Sequence, residues 1–477
     1  MNSFVKTFTF ALAMQAKPIF ASLAALGLIA CGSSVKDAPQ VSDPGIMEFI
    51  GSYEKSDDHI RPVGFTGTTY YVSASGSDSN DGQSEAGAFA TIQKGADVAR
   101  PGDSVLVMNG DYMNDADKYI AYLRNSGTPT NWIKYAAYPG HKPHIKVSEK
   151  GGFYLAGASY ILIEGFKMTG PTADIDLEYA KSEKLNKSNS RLSNTGISLK
   201  PYERGGDKHD YSHHVVIQYN EISHFGCNGI GATRADYLLV QYNTVHDNAY
   251  TSPWACSGIS TWSNWNFDKR EDVYRVIFRN NLSYRNYNHV EFWMQKKITD
   301  GNGLIIDALM LDQGVIQDGY QEEYNGAVLV ENNIAFENGG RGINIYHSDN
   351  VDIINNTTYH NAQHPEIKAE LGVGKSNNLR FLNNVFVAKP DEKMFLFYGS
   401  KDITFGNNIF TGTQDWGTDL RSSANWIDAD PMFVDSENYD FRLKSGSPAM
   451  GAATQNDSAG ITYDGKLRGT SRNLGAY

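Results

Sequence analysis

The sequence predicts an all-β fold, a right-handed parallel β-helix with an N-terminal helix cap. Three observations carry this. Seven asparagines, Asn220, Asn243, Asn281, Asn333, Asn356, Asn384 and Asn408, follow one another at gaps of 23, 38, 52, 23, 28 and 24 residues. Apolar residues stand five and three positions before each, as Val215 and Ile217 before Asn220 or Val351 and Ile353 before Asn356. That is a short period-2 strand ending at a bend. A base period near 23 with longer gaps between is a solenoid carrying insertions. Stacked parallel coils wind right-handed by the crossover rule.

The first elements lie outside this repeat. Residues 1–30 read as a signal peptide, with an apolar run from Ile19 to Ala30 too short to span a membrane. The run ends in Leu28-Ile29-Ala30-Cys31-Gly32, which resembles a bacterial lipobox. The resemblance implies lipidation of Cys31 and anchorage in the outer membrane; an ordinary secretory signal is the alternative. Residues 31–67, rich in Ser, Gly, Asp and Pro, read as a flexible tether. Residues 68–477 form the solenoid domain. Tyr70 to Val72 is a strand, Ala88 to Arg100 an amphipathic helix over the first coil, and Ser104 to Met108 the next strand.

The least interrupted coil runs from Gly342 to Asn356. Ile343 and Ile345 point inward, Asn344 and Tyr346 outward, and Asp349-Asn350 makes a turn. Val351 and Ile353 point inward again. Asn356 closes the bend, where Asn tolerates left-handed backbone and can bond to the Asn one coil away. Cys227 and Cys256 each stand two residues before a Gly-Ile pair, so they stack in neighbouring coils about 4.8 Å apart. A disulfide and a pair of buried thiols both fit that placement. The stretch from Ala429 to Ala449 has lost the repeat and is expected to close the far end.

The ends carry a family resemblance. Tyr70-Tyr71-Val72-Ser73-Ala74-Ser75-Gly76-Ser77-Asp78, Phe89-Ala90-Thr91-Ile92-Gln93 and Pro101-Gly102-Asp103 resemble the opening of pectate-lyase-like right-handed β-helix proteins. Ala429-Asp430-Pro431-Met432-Phe433, Asp440-Phe441-Arg442-Leu443 and Gly446-Ser447-Pro448-Ala449 are similar to their closing segment. The resemblance implies this fold and action on polysaccharides. That superfamily includes lyases, epimerases and glycoside hydrolases, so it leaves the reaction open.

The regular coil serves as a ruler for the insertions. Every large one flanks the Gly-Ile strand, with 13 extra residues before Gly303 and 16 after it. Loops on both sides of one strand column build the walls of a groove whose floor is that column. Alternation places Lys200, Trp262, Asp307, Tyr346 and Asn344 outward on the floor. Trp262, Asp307 and Tyr346 fall on successive coils. The wall before Gly303 holds Glu291, Trp293, Lys296, Lys297 and Asp300; in a second register His289 to Trp293 is itself the floor strand. Arg341 precedes the next floor strand and His347 follows Tyr346.

Two chemistries fit these residues. In β-elimination from a uronate polymer, Ca²⁺ held by Asp300, Asp307 and Glu291, or Arg341, neutralises the sugar carboxylate, and Lys296 or Lys297 removes the proton. In hydrolysis, Asp307 and either Asp300 or Glu291 act as the two carboxyl groups on a sulfated or neutral cell-wall polysaccharide. Elimination is placed first. Trp262, Trp293, Tyr346, His347, Lys200 and Asn344 are the substrate-binding candidates, and a non-catalytic glycan-binding protein is the third reading. The blander reading of each charged residue is a solvated loop or an ordinary ion pair. Partners are a polysaccharide and, through Cys31, a membrane; a monomer is expected. The net charge of −12 argues against nucleic acid.

Overall fold

The computed structural model describes residues 55–477 apart from 116, 206–207, 311–321, 415–419, 422–423 and 455–456. Cys31 and the signal peptide therefore lie outside the described residues. Three parallel sheets of eleven, eleven and nine strands form a right-handed β-helix. The first column begins with Thr69–Val72 and holds the strands that precede each asparagine rung. The second holds three-residue strands just after the rung, such as Thr357–Tyr359. The third is the expected floor, with Ile259–Trp262, Leu304–Asp307, Ile343–Tyr346, Ala369–Gly374 and Lys393–Tyr398 side by side.

The rungs are hydrogen-bonded as a continuous column. The amide oxygen of Asn281 accepts from the backbone N–H and the side-chain amide of Asn243, both at 3.1 Å. Asn281 in turn donates to Val240 and to Asn333. The column starts where Phe166 donates to Asn220 and runs on past Asn408 to Asn425, which the repeat did not reveal. These amides are sealed from water, so unmade bonds there would be costly. The left-handed residue is not the rung itself, as expected, but the one before it: Tyr219, Tyr242, Asn280, Asn332, Asn355, Asn383 and Asn407 have φ between 52 and 60°.

A second ladder stands five residues beyond the first. Asn248, Asn286, Asn338 and Asn361 repeat the same bonding. This ladder explains the glycine that opens each floor strand. A Cβ at Gly258 or Gly342 would lie 2.6 or 2.8 Å from the amide nitrogen of Asn286 or Asn361. One coil after Asn361 no asparagine follows; Lys389 holds that position. Glu370, in the glycine column, fills the gap and accepts from the backbone and side-chain amides of Asn361.

The expected helix cap is present, while the segments outside the coils at both ends depart from expectation. The helix Ile92–Val98 covers the N-terminal edge, capped by Thr91. Gln93 pairs with both backbone groups of Tyr122, substituting for a missing strand. The tether reading is corrected for residues 55–67. Ser56 bonds across to Asp272 and Tyr274, Asp57 is buried against Arg279, and Ile60 packs among Trp132, Leu162 and Val216. The stretch from Ala429 to Ala449 does not simply close the far end: Tyr439 and Phe441 pack back on Phe336, and Phe441 also on Tyr359, in the second column. The residues after it run back along the corner between the first two sheets, docked on the left-handed asparagines: Asn280 donates to Thr462, Asn332 to Ile461, Asn355 to Gly475 and Asn407 to Ala452. Their amides point outward with free donors, and an irregular segment has carbonyls to offer them.

Candidate active site

The groove floor has two outward columns. Thr233, Trp262, Asp307, Tyr346, Gly374 and Tyr398 are paired in register across successive strands. Lys200 precedes them, its ammonium donating to Thr233 at 2.8 Å. The parallel column runs Ser198, Gly231, Ser260, Ile305, Asn344, Gly372 and Leu396. Trp262, Asp307 and Tyr346 thus stand in consecutive coils.

Two glycines open space at the centre. A Cβ on Gly372 would fall 2.1 Å from the Asn344 amide oxygen and 2.6 Å from Cδ of Arg341. A Cβ on Gly374 would strike the Tyr398 ring at 2.4 Å. Arg341, Asn344 and Tyr398 therefore lie over the floor because the coil beneath them carries no side chains there. Tyr398 leans toward Tyr346, with ring centroids 6.2 Å apart.

Asp300 and Asp307 form an acidic pair beside this opening. Asp300 is buried and accepts from the Asn302 amide at 2.8 Å. Asn302 also bonds to Ser257 and accepts from the Arg341 backbone, tying three coils together. Burial raises the Asp300 pKa, and Arg341 and Asn302 oppose the rise. Asp307 is pushed well above the ordinary carboxylate range, first by burial and then by the Asp300 charge. Its side chain still keeps partial access to solvent, so it sits at the bottom of a walled cleft. Arg341 is buried with its pKa lowered by desolvation, and its Nε has no hydrogen-bond partner among the described residues. The Tyr398 pKa is raised by burial, with Tyr346 and both acids adding to it.

Other candidates fall elsewhere. Glu291 pairs with Lys184 at 2.7 Å in the wall and is not among the charges acting on either aspartate. Lys296 and Lys297 are exposed and likewise absent from those charges. The second register is overturned, because Leu304–Asp307 is the floor strand. Trp293 stacks edge-on to Trp254 at 5.9 Å, and Lys187 covers its ring at 3.9 Å, so it builds wall rather than platform. His347 lies at the turn after Tyr346, its backbone bonded to Gly374. Cys227 and Cys256 form a disulfide, with Cα atoms 5.1 Å apart, at the foot of the wall segment that carries Trp254. Tyr398, Asn302 and Glu370 were missed. Counting 14 residues back from Asn384 and Asn408 gives Glu370 and Met394 as strand starts, and four further gives Gly374 and Tyr398. Those two coils lack the glycine that opens the floor strands just before them.

A parallel β-helix with insertions walling one sheet, and titratable groups gathered on that sheet, defines the class of carbohydrate-active solenoids. A family model described as the Pel9A-like, right-handed beta helix region matches residues 70–378, and the chain belongs to that family. A lacto-N-biosidase of Bifidobacterium longum subsp. longum is 26% identical over 339 residues, which is 61% of this chain and 20% of that protein. The chain thus spans about a fifth of the curated relative it matches. Among solved structures, pectate lyase Pel9A is 17% identical with a TM-score of 0.46, covering 86% of this chain and 96% of that one. A GH136 lacto-N-biosidase from Eubacterium ramulus is 15% identical with a TM-score of 0.39, covering 76% and 65%.

Proposed function

We propose that the protein is a carbohydrate-active enzyme that hydrolyses a glycosidic bond in this groove, with Asp307 as general acid and Asp300 as the ionised carboxylate. The observation that carries this reading is the separation of the two acids. Burial raises both carboxyls; on Asp307 the charge of Asp300 adds to the rise, whereas on Asp300 Thr299, Arg341 and Asn302 oppose it. Two carboxyl groups with divergent environments are the arrangement glycoside hydrolysis needs. Asp307 protonates the leaving oxygen. Asp300 serves the sugar from the other side, as base for water or as nucleophile. Trp262 and Tyr346 flank the acid along the chain direction and offer apolar faces to sugar rings. The similar curated protein is a biosidase by name. The wild-type chain is expected to release new reducing ends without unsaturated product, and Asp307→Asn to slow that release by about a hundredfold or more. Unchanged turnover in Asp307→Asn refutes the assignment.

Elimination from a uronate polymer is the second reading, and one observation favours it: the unfilled Nε donor of Arg341 could take a sugar carboxylate. Asp300 and Asp307 would then be the calcium ligands. Ca²⁺ takes six to eight oxygens, and among the described residues no group of three or more acids, histidines or cysteines is arranged for a metal. Two carboxylates beside an arginine do not make a dedicated calcium cage, so no step is routed through the ion. Unsaturated product that disappears with chelator would favour elimination over hydrolysis.

The lipid anchor at Cys31 and an outer-membrane location rest on the lipobox-like stretch. Palmitate labelling that survives in Cys31→Ser would remove them. Among the described residues no helix is long and apolar enough to cross a membrane. A monomer is proposed as well, and sedimentation at micromolar concentration tests it.

A further inference from the structure

Four to five coils from Asp307, toward the N-terminal end of the floor, three tyrosines gather. Tyr122 and Tyr154 occupy the outward column that continues through Ser198, Gly231, Ser260 and Ile305. Their rings stack at 5.3 Å and 7°, and Tyr119 closes on Tyr154 at 4.5 Å. Tyr119 fits there because Gly151 lies beneath it; a Cβ on Gly151 would sit 3.3 Å from the ring. Gln93 of the capping helix fixes the Tyr122 backbone on both sides, so the cluster marks the end of the groove. Tyr122 is 36% exposed, high for an aromatic held this firmly.

Two cations stand beside the cluster. Arg124 lies over the Tyr202 ring at 3.2 Å and reaches Asp210 at 3.8 Å. Lys200, one coil from Tyr154, has no carboxylate partner among the described residues and gives its hydrogen bond to a threonine. Between Tyr154 and the acids the inner column is Ser198, Gly231 and Ser260, so small side chains line that stretch, and the charge of Glu203 from the neighbouring hairpin also reaches Tyr154. Four coils at the strand spacing put Tyr154 about 19 Å from the Asp307 strand. A pyranose in an extended chain advances by about one coil, so a polymer lying along the floor would bring a sugar to the tyrosines while another is cleaved at Asp307.

We propose that Tyr122, Tyr154 and Lys200 form a distal subsite for an anionic polysaccharide, about four sugars from the cleavage point, with the tyrosines contacting the sugar ring and Lys200 its carboxylate or sulfate. This rests on the reading of the groove as the glycan site. It makes the enzyme one that prefers long chains to short fragments, because only a long chain spans both places. Aromatic contact and charge act together: the tyrosines supply apolar area with hydroxyl edges, and the lysine rejects neutral sugars as partners of equal strength.

The test is affinity electrophoresis of the full chain carrying Asp307→Asn, run cold in gels containing polygalacturonate, alginate, carrageenan or a neutral β-glucan. The expected result is retardation by at least one of the three anionic polymers and little by the glucan, with carrageenan against the two uronates separating sulfate from carboxylate. Adding Tyr122→Ala and Tyr154→Ala should weaken that retardation about tenfold. Lys200→Gln, which removes the charge and keeps an amide donor near Thr233, should weaken it about threefold or more and flatten its dependence on salt. Equal retardation of all variants, equal retardation by the glucan, or none by any anionic polymer overturns the subsite. Reducing-end release by the wild-type chain, measured separately, reports on the catalytic reading whatever the gels show.

Discussion

Replacing Glu370 by glutamine should change how stability depends on pH, by an amount that follows from its burial. The Glu370 side chain is fully buried, and desolvation lifts its pKa from 4.5 to about 7, against the opposing bonds from Asn361 and the charge of Lys389. The folded protein therefore holds this proton more tightly than the unfolded chain. A raised carboxyl pKa contributes stability that is complete below the unfolded value and is lost as pH rises through the folded value. The window is thus pH 4.5 to about 7, and the shift corresponds to roughly 3 kcal/mol. With no exposed surface on the side chain, no discount for solvent screening applies. Glutamine cannot ionise. Its altered bonding to Asn361 adds an offset, but that offset does not vary with pH. Denaturant unfolding of both proteins at several pH values between about 4.5 and 8.5 gives the difference in stability. Groups common to both chains, Asp300 and Asp307 included, cancel. The difference should move by about 3 kcal/mol in favour of the variant as pH rises. Curves parallel to within about 0.5 kcal/mol would refute the reasoning, since that is the ordinary scatter of such comparisons.

Three further outcomes follow from the same geometry. Asp307→Asn should lower kcat by about 10²–10⁴, the range for a lost general acid, and wild-type activity should fall on the alkaline side as pH passes the raised Asp307 pKa; a wild-type profile flat toward alkali would contradict the role. Asn333→Ala strands the backbone and side-chain donors of Asn281 and removes the bond to Phe278, so it should cost about 3 kcal/mol or more in denaturant unfolding. Replacing Cys227 and Cys256 together by serine opens a bridge across a sequence separation of 29 and should cost about 3 kcal/mol, matched by the wild type under reductant.

The solenoid, its period and the floor column were legible because each rests on local alternation and on spacing, which sequence displays directly. Trp262, Asp307 and Tyr346 fell in register for that reason. The second ladder was equally legible, since Asn248, Asn286, Asn338 and Asn361 each stand five residues after a rung. What sequence could not supply was the direction of long loop side chains. Glu291, Lys296 and Lys297 share a wall segment with Asp300, yet that segment folds back on itself through a Phe292–Lys297 bridge, and Glu291 turns to Lys184. The C-terminal stretch was misjudged for a related cause. Its partners, the asparagines before each rung, carry no mark in sequence that separates an outward docking amide from an inward ladder amide.

The contrast with the other buried acids gives the argument for Asp307 its force. Asp236 is sealed against Arg275, Asp57 and Glu331 against Arg279, and Asp352 is half covered by Arg380. Each meets the cost of desolvation with a guanidinium, and Glu370, which has none, meets it with two amide donors from Asn361. Among the described residues Asp307 has no such cation; burial and the charge of a second carboxylate both favour its proton. Such an acid weakens the fold at neutral pH. Its desolvation also has a specific source. In a bare coil an outward floor residue faces water, and only walls can remove it. The strand that carries Asp307 has 13 extra residues before it and 16 after. An acid with no cation partner between two such insertions is what a proton donor to a bound chain requires.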